Sequence, residues 1–144
     1  MAPTTLRRAL PIAMVWLCVA TAAIAGDDAY KLIVNPENAA TSVSADFVRK
    51  AYLHKATEWS DGTTIRPVDA KVAVRTRFTK EILKKTPQQL KSFWNQQIFS
   101  GKGVPPPVVD SAADVVTYVM KNPGAIGYVP ASADTGRAKV IEVK

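Results

Sequence analysis

Apolar residues along the chain fall into two kinds of pattern, short β-rich runs and longer stretches in which they recur every three or four positions. Strands are predicted over residues 30–34, 63–68, 125–129 and 139–143, which are rich in strand formers or alternate. Pro36 limits the first of them, because proline cannot donate a hydrogen bond to a sheet.

Helical spacing predicts four helices, over about 45–53, 72–85, 87–98 and 112–121. The hydroxyl side chains expected to cap helix N-termini are those of Ser42, Ser44, Thr86 and Ser111. Residues 101–107 are too rich in glycine and proline for a helix or a central strand. Strands that alternate with helices indicate a three-layer α/β domain with a largely buried mixed sheet.

The first 25 residues have the pattern of a secretory signal peptide. Arg7 and Arg8 precede an apolar stretch over residues 9–19, and a small-residue triplet ends at Ala25. We therefore predict cleavage after Ala25, a mature domain over residues 27–144 and a periplasmic or secreted location. No membrane span is expected once the signal is removed. The alternative is a membrane anchor that stays in place.

Charge and residue usage narrow the chemistry of the mature domain. The net charge of +7 falls to +5 when Arg7 and Arg8 are removed, since no acid precedes Asp27, and this favours anionic partners. Export argues against nucleic acid as one of them. The only cysteine is Cys18, in the signal, and the only histidine is His54. We therefore expect no disulfide, no metal site, no cofactor and no catalytic residue set.

Three stretches together resemble a known family. Residues 44–62, SADFVRKAYLHKATEWSDG, are similar to the motif "aDIFlGKitkWnDg", residues 78–83 to "FT.YL", and residues 118–129, YVMKNPGAIGYV, to "yVk..pGAIGYv". These are motifs of the periplasmic phosphate-binding proteins of ABC importers. Compact exported proteins that consist of one such lobe also resemble this chain at Trp94 and at residues 98–106. The resemblance implies a lobe of the type II periplasmic-binding-protein fold.

The resemblance fails at the loop that matters most for binding. Phosphate-binding proteins hold the oxyanion with a loop "R.DGSGT" at a helix N-terminus. The equivalent residues 69–77 are DAKVAVRTR, without glycine or serine, and Thr76 alone matches the motif. The second lobe that would close over a ligand is also not expected in this chain.

Basic residues near this loop are the candidates for an anion site. Lys71, Arg75, Thr76 and Arg77 are grouped around the predicted start of a helix, where the helix dipole favours an anion. The alternative is a solvated basic face that pairs with Asp69 or Glu81. Both interpretations stay open at this point.

Two further groups of residues have candidate roles. Gly124, Gly127 and Tyr128 are predicted to shape the backbone near a neighbouring strand or a cleft, because glycine allows close approach. The aromatic residues are expected to pack in the core or at its edge rather than to form a binding platform. They are Trp59, Phe93, Trp94 and Phe99.

The sequence thus favours an exported, non-enzymatic domain like the substrate-binding protein of a phosphate ABC transporter, which binds phosphate or another oxyanion weakly. The alternative is an accessory protein of the envelope that has lost ligand binding and contacts a transporter or another protein. A hydrolase is disfavoured because no nucleophile, base and orienting group can be named together.

We expect the exported protein to begin at Gly26, because the residues up to Ala25 match the small-residue rule of signal cleavage. N-terminal sequencing and intact mass of the protein recovered from the producing cells measure this. An Ala25→Phe variant should remain uncleaved, and a parent protein that keeps its first 25 residues would contradict the prediction.

Overall fold

The computed structural model describes residues 29–144, so the predicted signal peptide at residues 1–25 lies outside the described residues. The strands are β1 (Tyr30–Val34), β2 (Ser42–Val43), β3 (Arg66–Pro67), β4 (Asp69–Ala70), β5 (Val108–Val109), β6 (Ala125–Pro130) and β7 (Lys139–Val143). The helices are α1 (Ala45–Tyr52), α2 (Arg75–Glu81), α3 (Pro87–Phe99) and α4 (Ala112–Lys121). None of these four helices has the length and apolar character needed to cross a membrane.

Five strands form one mixed sheet in the order β2-β7-β1-β6-β3. β1 is antiparallel to both β6 and β7, whereas β2 and β3 lie parallel to their neighbours at the two edges. β4 and β5 form a separate, short parallel pair. The strands predicted over 30–34, 125–129 and 139–143 are confirmed, and they form the centre of the sheet.

Both faces of the sheet are covered, which confirms the predicted three layers. Leu32 and Val34 of β1 pack in a cluster with residues of α1 and α2. Ile33, between them, packs on the opposite face in a cluster with Val115 and Val119 of α4. This is the alternation expected of a strand that is buried on both sides. α3 is more peripheral, and only Trp94 of its residues is buried.

Three of the four predicted helix caps are confirmed. The hydroxyl oxygens of Ser44 and Ser111 accept hydrogen bonds from the third backbone N–H of α1 and α4, at 3.0 and 3.1 Å. Thr86 and Gln89 form a reciprocal capping box at the start of α3. Ser42 is not a helix cap as predicted, because it lies in β2 and pairs with β7.

The predicted strand over 63–68 is largely wrong, since only β3 forms there. The N–H of Arg66 donates to Gly124 O, just before β6, and the N–H of Val68 donates to Ile126 O in β6. Pro67 lies between them at the edge of the sheet, where no donor is needed. The chain then leaves the sheet to pair with β5.

The second helix is shorter than predicted at both ends. The Lys71 N–H donates to Val109 O, and Ala73 and Val74 then form a turn before the helix, in which the Arg75 N–H donates to Val72 O at 3.1 Å. At the other end Lys84 has a φ of 55°, a left-handed conformation that ends α2 soon after Glu81.

Two glycines of the NPGAIGYV segment lie where a side chain does not fit. A Cβ atom at Gly124 would be 1.8 Å from the Thr64 carbonyl oxygen, and one at Gly127 would be 2.5 Å from the Val115 side chain. The first neighbour is backbone and the second is the helix that covers this face of the sheet. Close approach of β6 to both neighbours therefore depends on these two glycines.

Gly124→Ala should lower the free energy of unfolding by about 3 kcal/mol, because overpacking against a backbone atom cannot be relieved by a rotamer change. Chemical denaturation measures the loss. Gly103→Ala is the matched control, since its Cβ would meet only the His54 ring, at 3.0 Å, on an exposed loop that can adjust. Equal losses for the two variants would contradict this explanation.

Candidate functional site

The three cations among the candidate residues are all paired with acids. Arg75 Nη2 lies 2.6 Å from Asp69, Arg77 Nε lies 2.7 Å from Glu81, and Lys71 Nζ lies 3.0 Å from Asp110. The pairs with Asp69 and Glu81 are those named in the alternative interpretation of a basic face. The Lys71 and Arg77 pairs are exposed and therefore contribute little to stability.

Asp69 is the most connected side chain of the region. Its Oδ2 accepts from Arg75, while its Oδ1 accepts from the Tyr128 hydroxyl and, at 2.8 Å, from the Ala70 N–H. The side chain is only 17% exposed, so these are hydrogen bonds to a largely buried carboxylate. Bonds of this kind are about twice as strong as those between neutral groups. Asp69 thereby joins β4, the start of α2 and β6.

Tyr128 is buried beneath α2 and stays a hydrogen-bond donor. Its ring stacks on Phe78 with centroids 3.9 Å apart, and Tyr52 meets the same Phe78 edge-on at 5.0 Å. Burial, and then the negative charge of Asp69, raise the pKa of the Tyr128 hydroxyl. The proton shared with Asp69 is therefore retained at physiological pH.

A cleft lies between α2 and α3, and we call it the α2–α3 cleft. Its volume is about 340 Å³, and it is lined by Arg75, Thr76, Thr79, Pro87, Leu90, Lys91 and Trp94. A smaller cavity of about 70 Å³ shares four of these residues and extends to Asp69 and Tyr52. The cleft therefore has an apolar floor and four polar side chains around it.

The polar side chains of the cleft have unused donors. Thr79 is only 5% exposed, and its hydroxyl makes no hydrogen bond to any residue in the described range 29–144. Within the same range Lys91 makes no ion pair, and Asp69 is the one acid that pairs with Arg75. The guanidinium of Arg75 has five N–H groups, so it can serve both Asp69 and a second acceptor.

The structure thus separates the candidates that the sequence groups together. Arg75 and Thr76 line the α2–α3 cleft, whereas Lys71 faces Asp110 and Arg77 lies beside Tyr30 and Glu81. Sequence reasoning missed Thr79, Lys91 and the role of Trp94 as part of the floor. The spacing of Leu90, Lys91 and Trp94 places them on one helix face. That α2 packs opposite this face depends on tertiary contacts, which the spacing does not reveal.

The remaining candidates belong to the core rather than to the cleft. Gly124, just before β6, lies against the backbone of Thr64, and Gly127, in β6, lies against α4. The Tyr128 hydroxyl donates to Asp69 from within the core. His54 has a φ of 59° and follows α1, and its exposed ring lies against Gly103. Residues 29–144 hold no group of three or more His, Cys, Asp or Glu side chains that could bind a metal.

Several solved structures share this fold. A structure of an ABC-type phosphate transport receptor from Vibrio cholerae matches 79% of the chain with a TM-score of 0.61 and 19% identity. One from Clostridium perfringens, described as a phosphate ABC transporter substrate-binding protein with bound phosphate, matches 82% with a TM-score of 0.59 and 20% identity. The PstS structure from Borrelia burgdorferi matches 81% with a TM-score of 0.60 and 16% identity.

These matches confirm the predicted fold, and at such low identity they establish the fold alone. The chain spans less than half the length of the proteins it matches, between 45% and 47% of the three named above. No protein-family model and no curated protein sequence matches it. The fold is thus that of a part of these proteins, comparable to a single lobe.

Tyr128→Phe should lower the free energy of unfolding at neutral pH by about 2 kcal/mol, because Asp69 loses a donor in a largely buried setting. Tyr30→Phe is the matched control. Its hydroxyl also donates to a carboxylate, that of Glu81 at 2.9 Å, but at an exposed position, so we expect less than about 1 kcal/mol.

Alkaline pH gives a second readout of the same hydroxyls. Burial, and then the Glu81 hydrogen bond, raise the pKa of Tyr30 to about 12, and the pKa of Tyr128 is raised as well. The two hydroxyls contribute fully to the free energy of unfolding below the pKa of an unfolded tyrosine, about 10. Above that pH the contribution declines, because the tyrosines of the unfolded chain lose their protons at lower pH than those of the folded chain. The decline should be shallower in Tyr128→Phe, and an unchanged slope would contradict this assignment.

Proposed function

We propose that the chain is an exported, non-enzymatic binding domain that holds a small oxyanion such as phosphate in the α2–α3 cleft. The proposal rests on one observation above all. Thr79 is only 5% exposed as a residue, yet within residues 29–144 its hydroxyl has no hydrogen-bond partner and is reachable by solvent. It lies in a cleft with two cationic side chains, Arg75 and Lys91. A tetrahedral oxyanion accepts hydrogen bonds from hydroxyl and cationic donors of this kind when they surround one cleft.

The fold supports the same chemistry. The matched structures are described as phosphate transport receptors or substrate-binding proteins, and one holds bound phosphate. Thr76, the one residue that agrees with the oxyanion loop of the phosphate-binding family, also lines the α2–α3 cleft. In this proposal Arg75 and Lys91 supply the charge, and Thr76 and Thr79 supply neutral donors.

Binding in this cleft should be weak. Arg75 is shared with Asp69, whose negative charge extends to the neighbouring cavity and opposes an anion. The cleft is also open, so water screens the charges and competes for their hydrogen bonds. We expect an affinity in the micromolar range or weaker.

Titration calorimetry at low salt tests the site with phosphate, sulfate and a short polyphosphate. Lys91→Gln and Arg75→Gln should each weaken binding about tenfold, because each removes a charge-assisted hydrogen bond. Thr79→Val keeps the volume of the side chain and removes its hydroxyl, so it should weaken binding by a smaller factor.

Arg77→Gln is the matched control, since it removes a cation from the same helix outside the cleft. Its loss should leave the affinity within about twofold at moderate salt. If Arg77→Gln and Arg75→Gln weakened anion binding equally, the result would contradict a site in the cleft and favour a diffuse basic face. No heat with any of the three anions would overturn the proposal and favour an accessory protein that binds no oxyanion.

A further inference from the structure

The C-terminal end of α3 exposes apolar side chains that no other part of the described chain covers. Phe99, its last residue, is 92% exposed, Ile98 is 51% exposed, and Val104 in the following loop is 71% exposed. We call Ile98, Phe99, Lys102 and Val104 the α3 tip. The expectation that Phe99 packs in the core or at its edge is therefore wrong, whereas Trp94 of the same helix is buried.

The exposure belongs to a well-defined turn. Gly101 takes a φ of 68° and its N–H donates to Ile98 O at 3.1 Å, while the Lys102 N–H donates to Gln97 O at 3.0 Å. These two hydrogen bonds cap the C-terminus of α3, with Gly101 in the left-handed conformation that is common at this position. Three prolines follow the tip, and Gly103 lies against His54. The α3 tip thus has a defined conformation in which its apolar side chains face solvent.

The stretch of sequence that carries the tip has a positive net charge. Residues 82–109, from the end of α2 to β5, contain four lysines, at 84, 85, 91 and 102, and no aspartate or glutamate. Lys102 lies within the tip itself and is exposed. An anionic surface therefore complements the charge of Lys102 and of the segment that carries the tip.

The size of the tip favours a lipid surface over a protein. A specific protein interface buries about 800 Å² on each partner, far more than three side chains at the end of a helix present. A bilayer interface requires no matched shape, and it accepts a few apolar side chains while nearby lysines contact anionic headgroups. We propose that the α3 tip docks the protein reversibly on anionic phospholipid membranes by shallow insertion of Ile98, Phe99 and Val104.

Vesicles of phosphatidylglycerol and phosphatidylcholine test the proposal, with phosphatidylcholine vesicles for comparison. The full protein should co-sediment with the anionic vesicles at low salt, and less with the neutral ones. Phe99→Ser should reduce the partition coefficient about tenfold, because the largest apolar side chain of the tip is lost. The variant should fold normally, since Phe99 contributes almost nothing to the core.

Val140→Ser is the matched control. Val104 of the tip lines a pocket with Arg66 and Pro67 of β3, so the tip lies near the β3 edge of the sheet. Val140 is an exposed apolar residue of β7, and β1 and β6 separate β7 from β3. Its loss should not change partitioning. Residues 1–28 are the same in all variants, so a difference between Phe99→Ser and Val140→Ser reports the tip and not the N-terminal segment.

A Phe99→Trp variant locates the contact directly. Its additional indole emission, measured as a difference from the parent protein, should shift to the blue and be quenched by brominated lipids, whereas that of Val140→Trp should not. Absence of binding, equal binding of Phe99→Ser and the parent, or an unshifted indole in bound Phe99→Trp protein would each overturn the proposal. Equal binding to neutral vesicles would overturn its anionic part. Failure of oxyanion binding in the α2–α3 cleft would leave it unaffected.

Discussion

The carboxylate of Asp69 is the interaction on which the arrangement of this side of the domain depends. It is held by a buried tyrosine hydroxyl from β6, by a guanidinium from the first residue of α2 and by the N–H of its own neighbour. A carboxylate that is largely removed from water is costly unless its acceptors are used, and here each oxygen has a donor. Asp69 therefore fixes where the chain leaves the sheet and where α2 begins.

The ion pair between Asp69 and Arg75 also determines where polar groups lie in the α2–α3 cleft. Because one of its Nη atoms is directed to Asp69, the guanidinium lies at the edge of the α2–α3 cleft, and the next turn of α2 brings Thr79 to the same cleft. Phe78, the residue before Thr79, is buried and stacks on Tyr128. The same two turns of α2 thus anchor the helix on the core and supply polar groups to the cleft.

Much of the fold could be predicted from sequence because it depends on local signals. β1, β6 and β7 are long enough for their composition to be recognised, and the caps at Ser44, Thr86 and Ser111 are local hydrogen bonds. The short strands β2, β4 and β5 have two residues each, too few for any alternation to appear. The ends of α2 are set by pairing to Val109 and by left-handed Lys84, which are not visible in apolar spacing. The cleft was predicted only in part, because Lys91 reaches it through the packing of α3 beside α2.

The pairing of β1 has a consequence for the order in which this protein can fold. Tyr30 lies beside Pro130, and Leu32 lies beside Ile141, so the first strand of the sheet sits between strands from the end of the chain. During synthesis, β1 has no partner until the residues of β6 and β7 have emerged. Such non-local sheets form slowly and late. The N-terminal strand therefore stays unpaired for most of the synthesis of the described residues, and the sheet closes only when β6 and β7 arrive.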